Sequence, residues 1–223
     1  MEAANKACVL VSGGIESSVL LMDALGRYDK VTPLYVRNHL RWEEVELFWL
    51  KKLLREIKSS KLAPLQVLDA PLKDIYENHW SITGTQTPGA KSKDQSMYLP
   101  GRNIVFLSKA AVYAALCHIP SIEIGVLKGN PFSDSTPLFL KKISEVLSLG
   151  LSREIAVKAP FGKFKKEDVI ALGNNKLVLE TTFSCVNPKG YEHCGDCNKC
   201  VERKKGFFAV GLFDRTRYKK SGI

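Results

Sequence analysis

Val9-Leu10-Val11-Ser12-Gly13-Gly14-Ile15-Glu16-Ser17-Ser18 is the stretch on which the fold turns. Upstream of Ser12, Lys6 to Val11 is a short, continuously apolar run that reads as a strand buried on both faces. Downstream, apolar residues at 15, 19, 20, 21, 22 and 25 describe a helix from Ile15 to Arg27 with one buried side. Two glycines between such a strand and such a helix let the backbone come close to a ligand. The free amides of the first helical turn, the positive end of its dipole and the hydroxyls of Ser12, Ser17 and Ser18 then converge where a phosphate could sit. Val11, Ser12, Gly13, Gly14, Ser17 and Ser18 are therefore candidate phosphate-binding residues. The turn lacks the lysine of a Walker loop and the third glycine of a dinucleotide fingerprint, and taken alone it is also a plain tight connection.

The chain outward from this turn alternates strands and helices. Val31 to Val36 reads as a second strand, Trp42 to Ile57 as an amphipathic helix and Pro64 to Leu68 as a third strand. Asn103 to Cys117 reads as a helix, and Ile122 to Val126 as a fourth strand. Leu138 to Leu149 is helical, Glu154 to Lys158 is a last strand, Lys165 to Gly173 is a short helix, and a basic helix runs from Lys199 to Val210. Repeated β-α-β steps predict an α/β fold with a doubly wound parallel sheet, right-handed crossovers and helices on both faces. Two stretches rich in Gly, Pro, Ser and Lys, Ser81 to Tyr98 and Leu127 to Pro137, interrupt the rhythm and are long enough to be functional loops.

A second site is Tyr98-Leu99-Pro100-Gly101-Arg102-Asn103, where a Pro-Gly turn delivers Arg102 and Asn103 at a helix start. A cation there is repelled by the helix dipole, so Arg102 more plausibly reaches for an anion than caps the helix, the alternative being a solvated face. A third site holds four of the six cysteines: Cys185, Cys194, Cys197 and Cys200 fall within sixteen residues, spaced C-x8-C-x2-C-x2-C. In a chain otherwise poor in cysteine, that spacing suits a tetrahedral Zn²⁺ rather than disulfides, and a four-thiolate shell leaves no open position for water, so the metal would be structural. His193 is a weaker competing ligand. Cys8 and Cys117 read as buried apolar residues.

The chain has 223 residues, 45% of them apolar and 25% charged, which suits one large α/β domain with a small appendage and argues against disorder. The division expected is an α/β domain over 1–178 and a zinc module with a basic helix over 179–223. No apolar run approaches the roughly 18 residues needed to span a bilayer, and none resembles a signal peptide, so a cytoplasmic protein without membrane contact is expected. The net charge of +10 favours anionic partners such as nucleotide phosphates or nucleic acid. From Val201 to Ile223, seven basic residues stand against Glu202 and Asp214, a tail that reads first as a solvated face.

The glycine stretch resembles the pyrophosphate-binding Ser-Gly-Gly-x-Asp-Ser loop of the ATP pyrophosphatases, with Glu16 at the position that usually holds Asp. Together with Leu99-Pro100-Gly101-Arg102-Asn103 and the spaced cysteines, it is similar in order and distance to the 7-cyano-7-deazaguanine synthase family over nearly the whole chain. The resemblance implies an adenine nucleotide alpha hydrolase-like fold, with ATP, Mg²⁺ and Zn²⁺ as cofactors. It implies further that a carboxylate, 7-carboxy-7-deazaguanine, is adenylated, that ammonia displaces AMP to give an amide, and that a second adenylation lets the amide dehydrate to the nitrile. Glu16 would assist Mg²⁺ and Arg102 would neutralise phosphate or adenylate charge, these two being the catalytic candidates. Val11, Ser12, Gly13, Gly14, Ser17, Ser18, Arg102 and Asn103 would bind the nucleotide, with Lys163, Lys165 and Lys166 as weaker phosphate candidates. A homodimer is expected.

Two departures stand out. Where the family usually has Gln-Arg-His followed by Glu, this chain reads His39, Leu40, Arg41 and then Glu44; where it has a purine-binding Tyr-Pro-Asp-Cys-Arg segment, this chain has Gly129 to Pro137 without it. His39, Arg41, Lys128 or Asp134 would have to compensate. ATP handling is thus read as better retained than base recognition, and a related carboxylate or a different amine is expected to be preferred. A tRNA-modifying ATP pyrophosphatase, favoured by the basic tail, and a nucleotide-binding partner without turnover are the rival readings.

Overall fold

The computed structural model describes residues 5–219, so the expectations that rest on residues 1–4 and on the last four residues of the basic tail lie outside the described residues. Five parallel strands form the sheet: β1 (Lys6–Leu10), β2 (Lys30–Arg37), β3 (Gln66–Asp69), β4 (Ser121–Glu123) and β5 (Ala156–Lys158), in the order β3-β2-β1-β4-β5. Ala7 aligns with Val31 on one side of β1 and with Ser121 on the other. The chain winds outward from β1 to β3, returns across the sheet to β4 and winds out the other way. The gap between the ends of β1 and β4 is therefore the topological switch point, where open α/β sheets bind ligands.

The helices follow from the faces they cover. Ala7 and Val9 of β1 and the following Val11 point into a core shared with α1 (Ile15–Arg27), α2 (Glu43–Glu56), α7 (Lys166–Asn174) and Phe207 of α8 (Asn198–Ala209). Cys8 and Leu10 point the opposite way, into a core shared with α5 (Arg102–Leu116) and α6 (Pro137–Leu151). This two-sided burial explains why β1 is apolar at successive positions rather than alternate ones.

Several boundaries differ from those read off the sequence. The ladder of β3 starts at Gln66 rather than Pro64, and that of β4 ends at Glu123 instead of running to Val126. Beyond β4 the chain leaves the sheet at Gly125, where a Cβ would lie 3.2 Å from the Ser17 amide, so the backbone there presses on the start of α1. The stretch from Ser81 to Tyr98 is not wholly irregular: α4 (Trp80–Thr83) runs into its start, a 3-10 turn over Asp94–Met97 lies within it, and α3 (Lys73–Tyr76) precedes it. Cys117 is exposed, not buried, because it is the C-cap residue of α5, whereas Cys8 is buried in the sheet. No helix among the described residues is long and apolar enough to cross a membrane.

The cysteine segment packs on the sheet's C-terminal edge through a third cluster, in which Phe183, Val186 and the four cysteines meet Leu40, Trp42, Leu72, Met97 and Leu99. Asn198 fastens the 84–98 segment to α8: its amide donates to Pro88 O at 3.0 Å and its side chain to Ser92 O and Asp94 Oδ1, both at 3.1 Å. Arg203, fully buried, donates to Thr182, Ser184, Thr216 and the Leu179 carbonyl, tying α8 to the strap that leads into the cysteines.

Candidate active site

Gly13, at φ +78°, makes the turn from β1 into α1, and its own Cβ position would lie 3.3 Å from Leu50 Cβ of α2. Only glycine fits that conformation without strain. The hydroxyls of the loop are turned inward. Ser17 Oγ accepts from the Ser12 amide at 3.1 Å, Ser12 Oγ accepts from the Gly14 amide at 3.3 Å, and the two hydroxyls lie 3.2 Å apart. Ser17 Oγ also donates to Gly14 O. The amides of Ile15, Glu16 and Ser17 have no acceptor among the described residues, as the first amides of a helix must in the absence of a cap. They stand at the positive end of a helix of 13 residues.

This turn forms one wall of a cleft of about 520 Å³ at the switch point. Val11, Ser12, Gly14, Glu16 and Ser17 line it, while Gly13 and Ser18 lie behind the wall; the Ser18 hydroxyl is buried with no partner. Arg102 enters from the N-terminus of α5, following Gly101 at φ +74°, and lies over the Phe106 ring at 5.3 Å. It has no carboxylate within salt-bridge distance among the described residues, which leaves its charge for a ligand. Asn103 is placed differently: its amide donates to Asp134 Oδ2 at 3.2 Å and its Nδ2 to Asp134 O at 3.1 Å, so it braces α5 against the Ser133–Ser135 turn.

Glu16 forms an ion pair with Lys166 of α7, and Lys166 lies 3.2 Å from Glu202 of α8, which in turn accepts from Lys199 at 2.7 Å. This row of alternating charges closes one end of the cleft and joins three helices. Burial opposes the Glu202 charge, but the ammonium groups of Lys166 and Lys199 prevail and take its pKa down to about 2. The same acids hold the Lys166 ammonium above its usual range against its own burial. Lys165 also lines the cleft, beside Glu167 at 3.7 Å.

The opposite wall is aromatic. Trp42 and Trp80 stack at 5.6 Å and 16°, and Phe132 lines the cleft with Tyr98 stacked behind it at 5.3 Å and 26°. Glu46 of α2 faces the cleft with Oε2 accepting from Tyr35 OH at 2.7 Å. Burial raises its pKa to about 7, with the Tyr35 hydrogen bond and Arg102 pulling the other way and Glu43 adding to the rise. Of the four residues considered as replacements for the missing family motifs, His39 is engaged with Asp69 at 2.7 Å, Arg41 with Asn187 at 3.2 Å and Asp134 with Asn103. Lys128 lines the cleft and has no side-chain partner among the described residues.

Sequence reasoning missed Glu46, although a signal was present. Glu46 shares one side of α2 with Leu50 and Leu53 and with the buried Glu43, and carboxylates on a buried side are costly unless a partner or a site uses them. The pairing of Glu16 with a lysine 150 residues away had no local signature.

On the far side of the aromatic wall, the four cysteine sulfurs lie within 4.8 Å of one another, all buried. The separations of 3.5 Å for Cys185 to Cys194, and 3.9 Å for both Cys185 to Cys197 and Cys194 to Cys200, are far too long for disulfides. They are close to the roughly 3.8 Å edge of a tetrahedron whose corners stand 2.3 Å from a metal. Backbone amides of Asn187, Cys194 and Cys197 donate to the sulfurs at 3.3 Å, as suits thiolates. The cluster can coordinate a metal ion. His193 is not part of it; its Nε2 accepts from the Ser184 amide at 3.1 Å.

A glycine turn at the switch point of a doubly wound sheet marks a nucleotide-handling class of α/β protein, and known proteins narrow that class. Residues 6–211 match the family of queuosine biosynthesis protein QueC, and the chain belongs to that family. It is 32% identical to the 7-cyano-7-deazaguanine synthase of Leptospira interrogans, over 95% of this chain and 90% of that one. It is 32% identical to 7-cyano-7-deazaguanine synthase 1 of Desulfitobacterium hafniense, over 97% and 98%, and 27% identical to the enzyme of that name from Methanocaldococcus jannaschii, over 96% and 99%. The fold is shared with a 4-thiouridine synthetase solved with RNA and bound ATP, at TM-score 0.52 and 19% identity, covering 93% of this chain and half of that longer one. The chain is thus an enzyme of the 7-cyano-7-deazaguanine synthase type.

Proposed function

We propose that the cleft binds ATP with its phosphates against the free amides of Ile15, Glu16 and Ser17, and uses it to adenylate 7-carboxy-7-deazaguanine or a closely related flat carboxylate. The observation that carries this reading is the convergence, in one cleft, of an uncapped helix N-terminus and Arg102, which forms no ion pair among the described residues. Such an arrangement stabilises charge developing on departing pyrophosphate, and Trp42, Trp80 and Phe132, which line the cleft, offer flat faces to a heteroaromatic ring. Ammonia or another amine then displaces AMP to form an amide, and a second adenylation leads on to the nitrile.

Among the described residues no group of three acidic, histidine or cysteine ligands converges apart from the four cysteines. Magnesium would arrive on the ATP phosphates, with Glu16 as the candidate ligand from the protein. Cys185, Cys194, Cys197 and Cys200 would hold zinc, which at a closed four-thiolate site supplies cross-linking and no reaction chemistry.

With ATP, Mg²⁺, ammonium and 7-carboxy-7-deazaguanine present, ³¹P NMR should show AMP and pyrophosphate; ADP and inorganic phosphate would refute the assignment of the loop. Mass spectrometry of the same mixture should show the nitrile, formed more slowly than by an ordinary family member run alongside, because three of the four replacement residues are bonded elsewhere. Equal rates would remove the expectation of altered specificity and leave the family reaction intact.

A further inference from the structure

Six acids line the cleft, and five are already committed. Glu16 and Glu202 pair with Lys166; Glu43 accepts from the Asn38 and His39 amides and from Arg37; Asp94 accepts from Asn198; Glu167 lies beside Lys165. Among the described residues Glu46 and Asp94 have no cation within salt-bridge distance, and Asp94 is held by the Asn198 amide on the 84–98 segment, away from the glycine turn. The single bond of the Glu46 carboxyl is from the neutral hydroxyl of Tyr35, on Oε2, so Oε1 is free. Its position is equally particular. The Glu46 carbonyl lies 3.5 Å from where a Cβ on Gly13 would stand, so this part of α2 abuts the glycine turn, and the positive charge of Arg102 acts on the Glu46 carboxyl. The Glu46 carboxylate thus lines the same cleft as the glycine turn and Arg102.

Resting on the adenylation reading above, we propose that Glu46 is the proton acceptor for the nitrogen nucleophile. The lone pair of ammonia forms the C–N bond to the acyl carbon of the adenylate. The C–O bond to phosphate breaks with its electron pair departing on AMP, and the proton shed by nitrogen passes to ionised Glu46, which returns it to solvent. A cleft whose other free charges, Arg102 and Lys128, are cationic stabilises phosphate and disfavours a protonated amine; Glu46 supplies the opposite character where nitrogen must lose its proton. The carboxyl faces Tyr35 from β2, Arg102 from α5 and Glu43 from its own helix, and burial, opposed by the first two, places its pKa at about 7. That lies where about half of the groups are ionised at neutral pH while the base keeps its strength.

The test separates the two half-reactions. Adenylation needs no base for nitrogen, so Glu46→Gln should retain carboxylate-dependent ATP–pyrophosphate exchange within about threefold and bind ATP normally. Ammonia-dependent amide formation should fall about 100-fold or more, the usual scale of general-base loss. In the wild type, the rate per free ammonia should rise with pH through about 7, the range in which Glu46 ionises. That limb should disappear in Glu46→Gln and move to higher pH in Tyr35→Phe, which removes the hydrogen bond favouring the ionised form while keeping the carboxyl group. Amide formation within threefold of wild type in Glu46→Gln would overturn the proposal. So would equal loss of exchange and amidation in a variant of unchanged melting temperature, which would make Glu46 a binding residue. Absence of exchange in the wild type would instead overturn the adenylation reading, and this proposal with it.

Discussion

The glycine turn and the cysteine segment are built in opposite senses. In the turn, side chains serve the backbone: Ser12 and Ser17 satisfy the amides of Gly14 and Ser12, leaving those of residues 15 to 17 facing outward. In the cysteine segment the backbone serves the side chains, with the amides of Asn187, Cys194 and Cys197 aimed at sulfurs that themselves face the ligand position. The difference teaches which atoms a substitution removes. A changed side chain in the turn takes away scaffolding, whereas in the cysteine segment it takes away a ligand.

The largest effect should therefore come from Cys197→Ala. Bound metal should drop from one per chain to near zero and the melting temperature by about 10 °C or more, since structural zinc binding is also folding energy and each kcal/mol is worth about 2–4 °C in a chain of this size. A variant that keeps both metal and stability would break the comparison at its stronger end. Gly13→Ala should come next. A left-handed conformation costs a non-glycine residue about 1–2 kcal/mol, and the added methyl meets Leu50 at 3.3 Å. Isothermal titration should show ATP affinity reduced about tenfold as the turn shifts, while metal content stays at one per chain. Ser17→Ala should be smallest: about 1 kcal/mol of stability for the lost hydrogen bonds, and ATP affinity within about threefold of wild type. A loss of a hundredfold in affinity would show that the Ser17 hydroxyl contacts phosphate directly and would blur the contrast just drawn.

Both of these regions are contiguous in sequence, which is why they were legible there. A strand, two glycines and a helix follow one another over Lys6–Arg27, and four thiols fall within sixteen residues. The two-sided burial of β1 and the amphipathic stripes of α2 and α6 made the doubly wound sheet legible as well. The short helices α3 and α4 were not, because four residues are a single turn and carry no period. The ends of β3 and β4 depend on where neighbouring strands stop, which apolar runs do not record. Cys117 was misread because its apolar neighbours conceal a helix end. The substrate wall was least legible. Trp42 meets Trp80, Asn103 meets Asp134 and Glu46 meets Tyr35 only after the sheet has formed, and such long-range pairings leave each residue looking unremarkable in its own segment.

One short bond carries a consequence for anyone who would take the protein apart. The amide of Phe183 donates to Gly13 O at 2.7 Å, and Phe183 stands two residues before Cys185, within the cluster that also holds Trp42 and Leu99. A fragment ending near residue 178 would strip the Gly13 carbonyl of its donor and open the aromatic wall to water. Grafting a foreign cysteine segment onto the first 178 residues would succeed only if it restored that single amide. The two ends of the chain are in this sense one inherited part, to be swapped, trimmed or evolved together.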